Sequence, residues 1–271
     1  NAFTKGRGKT PHFAFIFEIC VEKNAELEDN DLRKKMKGRV VYGGHRVLDE
    51  YGEAATFEEI NSCPSTMEAA KSCYAFGLLK GHCVQSADAT QAYTQAPIDK
   101  EKVDNWIRLP YHQWPDAWFG PDDLPLYKDP VCLLDKALYG HPNSGGYWEQ
   151  HCEKHLKAQG FVPIQSWRSC FWHPELNVML VVYVDDFLMA GRPEDVEKGW
   201  QKIQTDTKDT TGLVIDPPDT SDCQRFLGCE HKVSTQTSPI TGKPVRTIEW
   251  DMSEFLKSCV ASYVKIAKDL Y

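Results

Sequence analysis

The longest unbroken apolar stretch lies past the middle of the chain. Residues 178–184 are seven apolar or aromatic positions in a row, and four more, residues 187–190, follow Asp185 and Asp186. A valine-rich run of this length, bounded by polar residues, predicts a buried strand, and the second run predicts its hairpin partner. Asp185 and Asp186 then fall at the connecting turn. Adjacent carboxylates repel each other, and ionised carboxylates avoid apolar surroundings unless paired or metal-bound. Spacing alone leaves two options open: a divalent-cation site, or an ordinary solvated turn, where Asp is common.

The same patterning predicts elements on both sides. Residues 13–17 form an apolar strand, and residues 37–42 a basic one ending at Gly43 and Gly44. Ser65 and Glu68 make a capping-box pair. The helix behind it places Met67, Ala70, Tyr74 and Leu78 on one face and closes at Gly77 and Gly81. Residues 83–88 predict a strand ending on Asp88, then a short helix through Tyr93 that stops before Pro97. An acid at a strand's C-terminal end is a favoured place for a site, and equally a helix N-cap.

Residues 98–130, rich in tryptophan and proline, predict an irregular insertion with a short strand at 106–109, and 131–134 another strand. A loop at 140–146 leads into a helix with Trp148, Cys152, His155 and Leu156 at spacings of three and four. His151 and His155 fail the H-E-x-x-H metal pattern, because the acid between them is Glu153, and are read as surface histidines. Beyond the hairpin come a helix from 192 to about 206, a polar loop at 207–222 and strands at 225–233 and 245–250. An amphipathic helix over 253–270 carries Leu256, Cys259, Val260, Tyr263, Val264 and Ala267 on one side. This order predicts an α+β fold, a sheet with antiparallel pairs covered by helices on one face.

With 271 residues, the chain has room for one large domain or two smaller ones. Hydrophobic residues at 41% and aromatics at 11% exclude global disorder. The apolar run is far short of the roughly 20 residues that span a bilayer, so no membrane association is expected. A net charge of −8 argues against a passive nucleic-acid binder. Arg33, Lys34, Lys35, Lys37, Arg39 and Arg46, however, lie in a stretch without acids. Such a patch binds phosphates locally, although a solvated basic edge strand has the same composition. Ten cysteines without any C-x-x-C fit neither a zinc ribbon nor a disulfide framework, and read as reduced thiols of an intracellular protein. A chain starting at Asn1 without a signal pattern reads as a fragment or processed product.

Tyr183-Val184-Asp185-Asp186 resembles the reverse transcriptases, and the copia-type LTR retrotransposons in particular. Asp88 followed five residues later by Tyr93 resembles the family's first catalytic block. Ala137, Leu138, Tyr139 and Gly140 with Trp148 resemble the block opening the palm helix. Residues 37–41 resemble the basic fingers strand, and residues 225–228 the hairpin that grips the primer end. The similarity runs from about residue 37 to about residue 265. Two departures stand out: the loop 140–146 lacks the family's Lys-Gln-Ala-Pro wording, and Thr94 and Gln95 are polar where many relatives are apolar.

The resemblance implies an RNA-directed DNA polymerase with a right-hand palm, a ferredoxin-like antiparallel sheet with helices on one face, plus fingers and an incomplete thumb. Residues 1–80 would be fingers-like, 81–233 the palm with an inserted fingers segment near 98–130, and 234–271 the end of the palm and start of the thumb. A primer 3′-hydroxyl would attack the α-phosphorus of a dNTP, with two Mg²⁺ ions about 4 Å apart, or Mn²⁺ in their place. By resemblance Asp88, Asp185 and Asp186 are catalytic and hold the metal. Lys37 and Arg39 steer the triphosphate, and Tyr93 stacks beneath its sugar where a 2′-hydroxyl clashes. Tyr183, Gly140, Phe226, Leu227 and Gly228 contact the template–primer. The implied partners are an RNA/DNA template–primer and dNTPs. On the same resemblance, the integrase and ribonuclease H of a retrotransposon polyprotein are expected to lie outside this chain, and the implied location is a cytoplasmic particle or the nucleus. The same residues also suit an inactive remnant, a domesticated nucleic-acid-binding module, or an unrelated metal phosphohydrolase.

Overall fold

The computed structural model describes residues 9–23, 30, 32, 34–57, 62, 64–99, 103–227 and 229–270, so Gly228 and Arg33 lie outside the described residues. In chain order the elements are β1 (Thr10–Lys23), β2 (Lys35–Tyr42), α1 (Met67–Gly77), β3 (Cys83–Asp88), α2 (Ala92–Gln95), β4 (Val103–Arg108) and β5 (Cys132–Leu133). There follow α3 (Ser144–Ala158), β6 (Val162–Pro163), β7 (Cys170–His173), β8 (Val178–Tyr183), β9 (Asp186–Gly191) and α4 (Pro193–Gln204). The chain ends with β10 (Cys223–Phe226), β11 (Cys229–Thr237), β12 (Pro244–Asp251) and α5 (Ser253–Leu270). This mixed α/β chain forms two units, Asn1–Ser62 with Tyr93–His151, and Cys63–Ala92 with Cys152–Tyr271.

The second unit is built on the hairpin. Its five-stranded sheet has the order β3-β9-β8-β7-β6 and is antiparallel throughout. The run in β8 is apolar at both parities, so both faces of the sheet need cover. Ala69, Ala70, Cys73 and Tyr74 of α1 share one buried cluster with Met179, Val181, Leu188 and Ala190 on one face. On the other face α4 comes so close that a Cβ on Gly199 would lie 2.6 Å from Met189 Sδ. Trp200 Nε1 there donates to Gln85 Oε1 at 2.9 Å. Helices therefore lie on both faces, which corrects the expectation of one covered face.

Three further expectations change in this unit. Helix α1 is capped by Thr66 rather than Ser65: the Thr66 hydroxyl accepts the Ala69 amide at 3.3 Å. Residues 225–233 are not one strand. The chain breaks at Leu227, with φ +53°, and β10 and β11 pair as a hairpin that β12 extends. His155 is no surface residue: it is fully buried. Its Nε2–H donates to the Ile203 carbonyl at 2.8 Å, and the Thr210 hydroxyl donates to its Nδ1 at 2.7 Å. The amphipathic pattern of α5 is present, but Leu256, Val260 and Tyr263 are exposed.

The first unit carries a four-stranded sheet of order β2-β1-β4-β5, with β1 parallel to β4 and antiparallel to β2. Strand β1 runs well beyond the five residues of its apolar pattern because its far half pairs with β2 as an exposed ribbon. The apolar core is small, with Ala14, Tyr42, Val47 and Ile107 at its centre. Beside it, buried His12, Asn105, His141 and Asn143 line a cavity of about 320 Å³. Residues 98–130 contain β4, two short 3₁₀ turns and a cluster of Trp114, Trp118, Tyr111 and Phe119 rings. Among the described residues no helix is long and apolar enough to cross a membrane.

Burial gives the fold a pH dependence. His141 in the first unit and His231 in the second, which stacks on Tyr74 at 4.3 Å, are both held down at about 4 by desolvation. Their folded values lie below the unfolded 6.5, so the unfolded chain binds more protons between pH 6.5 and 4. Stability should fall through that window, by on the order of 2–3 kcal/mol per histidine. Urea unfolding at pH 7 and pH 4 measures it. His231→Phe, which keeps the stack, should flatten the slope, and an unchanged slope contradicts the assignment.

Candidate active site

Three acids come together at one end of the second unit's sheet. Strand β3 pairs with β9 so that Asp88 stands directly opposite Asp186. Directly opposed residues of an antiparallel pair have Cα atoms about 4.5–5.5 Å apart and side chains on the same face. The Ala89 amide donates to the Asp185 carbonyl at 2.7 Å, tying the end of β3 to the hairpin turn. Asp88 and Asp185 are exposed and Asp186 is half-buried.

The turn is tighter than the sequence pattern implies. Tyr183 pairs with Asp186, so the two loop residues are Val184 and Asp185, and Asp186 already belongs to β9. Val184 has φ +56° while Asp185 does not enter the positive region, the combination seen in a type II′ hairpin. A β-branched residue in this conformation is a true outlier and costs on the order of 1–3 kcal/mol. Buried hydrogen-bonded strands on both sides hold it there.

Tyr183 and Leu227 pack against the same buried cluster that contains Phe226, on the face shared by α1. Of the residues expected around a primer, these three therefore sit on one core with the acids at its edge. A fourth acid, Asp216, is adjacent and was not expected. Its amide donates to the Asp88 carbonyl at 2.8 Å, and its Oδ1 accepts the Thr90 hydroxyl at 2.8 Å. Ala89 bridges to Ile215, so residues 213–216 cover the open edge at the end of β3. The signal lay in the sequence: Leu213, Val214 and Ile215 are an apolar triplet inside a polar stretch, and Leu213 and Ile215 are buried.

The other expected contacts belong to the first unit. Lys37 and Arg39 share one face of β2, with Lys37 exposed. The Arg39 guanidinium lies 5.1 Å from the centre of the Tyr139 ring, and Tyr93 packs on that same ring at 5.0 Å. Tyr139 is thus the meeting point of Arg39 and Tyr93, a role its place in the 137–140 block did not announce. Gly140 has φ +84°, and a Cβ there would lie 2.3 Å from the Tyr42 carbonyl oxygen. Only glycine lets that backbone pass so close.

The donors at the hairpin are carboxylate oxygens, suited to a hard divalent cation. Among the described residues no group of three or more His, Cys, Asp or Glu closes around a common point. Mg²⁺ keeps water and phosphate oxygens in its shell.

Residues 21–241 match the family described as reverse transcriptase (RNA-dependent DNA polymerase). No curated protein sequence matches the chain. Among solved structures, a telomerase from Candida albicans in complex with a TWJ fragment of telomeric RNA is similar at 11% identity and a TM-score of 0.36. The match covers 84% of this chain and 45% of that one, so the chain spans less than half of that protein's length.

Proposed function

We propose, from the premise that the chain belongs to the reverse transcriptase (RNA-dependent DNA polymerase) family, that it is the polymerase domain of a copia-type retrotransposon. On this reading it transfers a nucleotide from a dNTP to a primer 3′-hydroxyl on an RNA template. The observation that carries the reading is the pairing of Asp88 with Asp186 beside the Asp185 turn. Acids nearly a hundred positions apart in sequence meet at one end of the sheet, a concentration of like charge that a bound cation would relieve.

The second unit is the palm in this reading. Asp88 and Asp185, with Asp186 beside them, hold divalent ions, as domains of this family generally do. Bound there, two Mg²⁺ or Mn²⁺ ions supply charge stabilisation to the attacking and leaving oxygens. Tyr183 and Leu227 offer the primer end a surface fixed by the α1 core, while Phe226 is buried within that core and supports them from beneath. Asp216 and Thr90 keep the end of β3 in register, through the Asp216 amide on the Asp88 carbonyl and the Thr90 hydroxyl on the Asp216 carboxylate.

In the first unit Arg39 and Lys37 supply positive charge for the triphosphate, and Tyr93 rests on Tyr139 as the sugar-facing ring. Its bulk excludes a 2′-hydroxyl. Tyr93→Ala should lower the preference for dNTP over rNTP by about 10–100-fold, as removal of a steric element of a pocket does. Competitive incorporation of the two nucleotides measures it, and an unchanged ratio removes Tyr93 from this role.

The defining experiment is extension of a DNA primer on an RNA template by the purified chain with Mg²⁺ and with Mn²⁺. Metal-dependent dNTP incorporation is expected. Primer–template binding without incorporation with either ion would instead favour a nucleic-acid-binding module, and its salt slope would count the phosphate contacts.

A further inference from the structure

Helix α1 ends without a cation of its own: no basic residue lies in its last turn. The last carbonyls of a helix have no partner inside it, and its C-terminal dipole favours positive charge. Here the charge comes from another sheet. Arg246 of β12 reaches across, and its Nη1 donates to the carbonyls of Gly77 at 3.1 Å, Leu79 at 3.3 Å and His82 at 3.0 Å. One NH₂ group has two hydrogens, so a bond is shared, as is common at helix ends. His82 immediately precedes β3, and a Cβ on Gly77 would collide with the Val84 side chain. The guanidinium therefore grips the junction of α1 and β3.

A second side chain does the same from β10. Gln224 is buried, and its Nε2 donates to the carbonyls of Val84 at 3.0 Å, Asp219 at 3.0 Å and Ser221 at 3.1 Å. Two ring contacts add to the grip: His231 of β11 stacks on Tyr74, and Lys71 Nζ lies 5.4 Å from the centre of the Trp250 ring of β12. All three strands, β10, β11 and β12, are thereby fastened to α1 or to the start of β3. Strand β10 runs from Gln224 to Phe226 and the break at Leu227, and β3 runs from Val84 to Asp88. The turn that carries Leu227 and the strand that carries Asp88 are thus set from one polar clasp. Arg246 is exposed overall and takes no part in the buried cluster, so its contribution is its bonds and not packed volume.

We propose, resting on the polymerase reading above, that Arg246 is a positioning residue: it sets the Leu227 turn relative to the end of β3, and with it the seat of the primer end beside Asp88. Its partners are main-chain carbonyls, and none is an acid of the hairpin. Losing the clasp loosens the hold on primer–template and leaves dNTP binding and the chemical step alone.

Steady-state primer extension by the full chain carrying Arg246→Met or Arg246→Lys, with the melting temperature of each, tests it. Methionine keeps a long stem and removes the donors. It should raise KM for primer–template about tenfold, the scale of one charge-assisted hydrogen bond. KM for dNTP, and kcat at saturating primer–template, should stay within about twofold of the wild type. Lysine keeps the charge and brings three donors to three carbonyls, and should restore KM to within about threefold. A purely structural role predicts a lower melting temperature and a lower kcat with KM unchanged. An unchanged primer–template KM in Arg246→Met, a loss confined to kcat, or no rescue by lysine would overturn the proposal. Failure of the polymerase reading is distinct, because the wild-type chain then extends no primer. Primer–template affinity by fluorescence anisotropy then takes the place of KM, with the same weakening and the same rescue expected. A wild type that neither extends nor binds primer–template would overturn both.

Discussion

Asp185→Asn should lower primer extension by about 10²–10³-fold or more while leaving the melting temperature within a degree or two of the wild type. The change keeps the shape of the side chain and removes its charge. Loss of a single preorganised charge-stabilising group at a reacting phosphoryl or acyl centre costs about that much. Stability hardly moves because Asp185 is an exposed turn residue, and such substitutions lie within about ±0.5 kcal/mol. Asp88→Asn should match it, and the double variant should be little worse than either, since groups acting as one unit are not additive. Extension within tenfold of the wild type by either single variant would remove these acids from the chemistry.

The second large effect is on the fold. Phe187 follows Asp186 directly, is fully buried, and pairs with Ala87 on one side and Val182 on the other. Phe187→Ala leaves a cavity in the strand that carries an acid, and should cost about 3–5 kcal/mol. Phe187→Leu, closer in volume, should cost less than about 1.5 kcal/mol. Denaturant unfolding followed on the second unit measures both. A loss below about 1 kcal/mol for the alanine variant would mean that the sheet relaxes around the gap, and that the acids are not rigidly supported.

Much of this architecture was legible in the sequence, and the failures have physical causes. The hairpin stood out because β8 is apolar at both parities, a pattern that only a doubly covered strand requires. The same fact, followed through, would have placed helices on both faces. His155 was legible as well: it falls on the stripe with Cys152 and Leu156, and that spacing outweighs the polar character of a histidine that finds two partners. The break at Leu227 was hidden because leucine gives no turn signal, and a non-glycine residue at positive φ owes its conformation to tertiary packing.

The candidate site divides in the same way. Asp88, Asp185 and Asp186 stood out because acids at strand ends violate an apolar pattern and because their blocks resemble a family, and the strand pairing brings them to one end of the sheet. Asp216 did not stand out because it meets β3 through one amide, one side-chain contact with Thr90 and a neighbouring bridge, which leave no periodic trace. Tyr139 was missed for a related reason: its ring partners Arg39 and Tyr93 lie 100 and 46 positions away in sequence, and nothing local announces the meeting.

On the proposed reading, acids at 88 and 185 share a cation-binding edge that works on a bound nucleotide. Anomalous diffraction from crystals grown with Mn²⁺, primer–template lacking its 3′-hydroxyl and an incoming dNTP addresses it directly. Two Mn²⁺ peaks about 4 Å apart, each against a carboxylate of Asp88 or Asp185, are the predicted result. A bound nucleotide whose Mn²⁺ lies away from both carboxylates would contradict it.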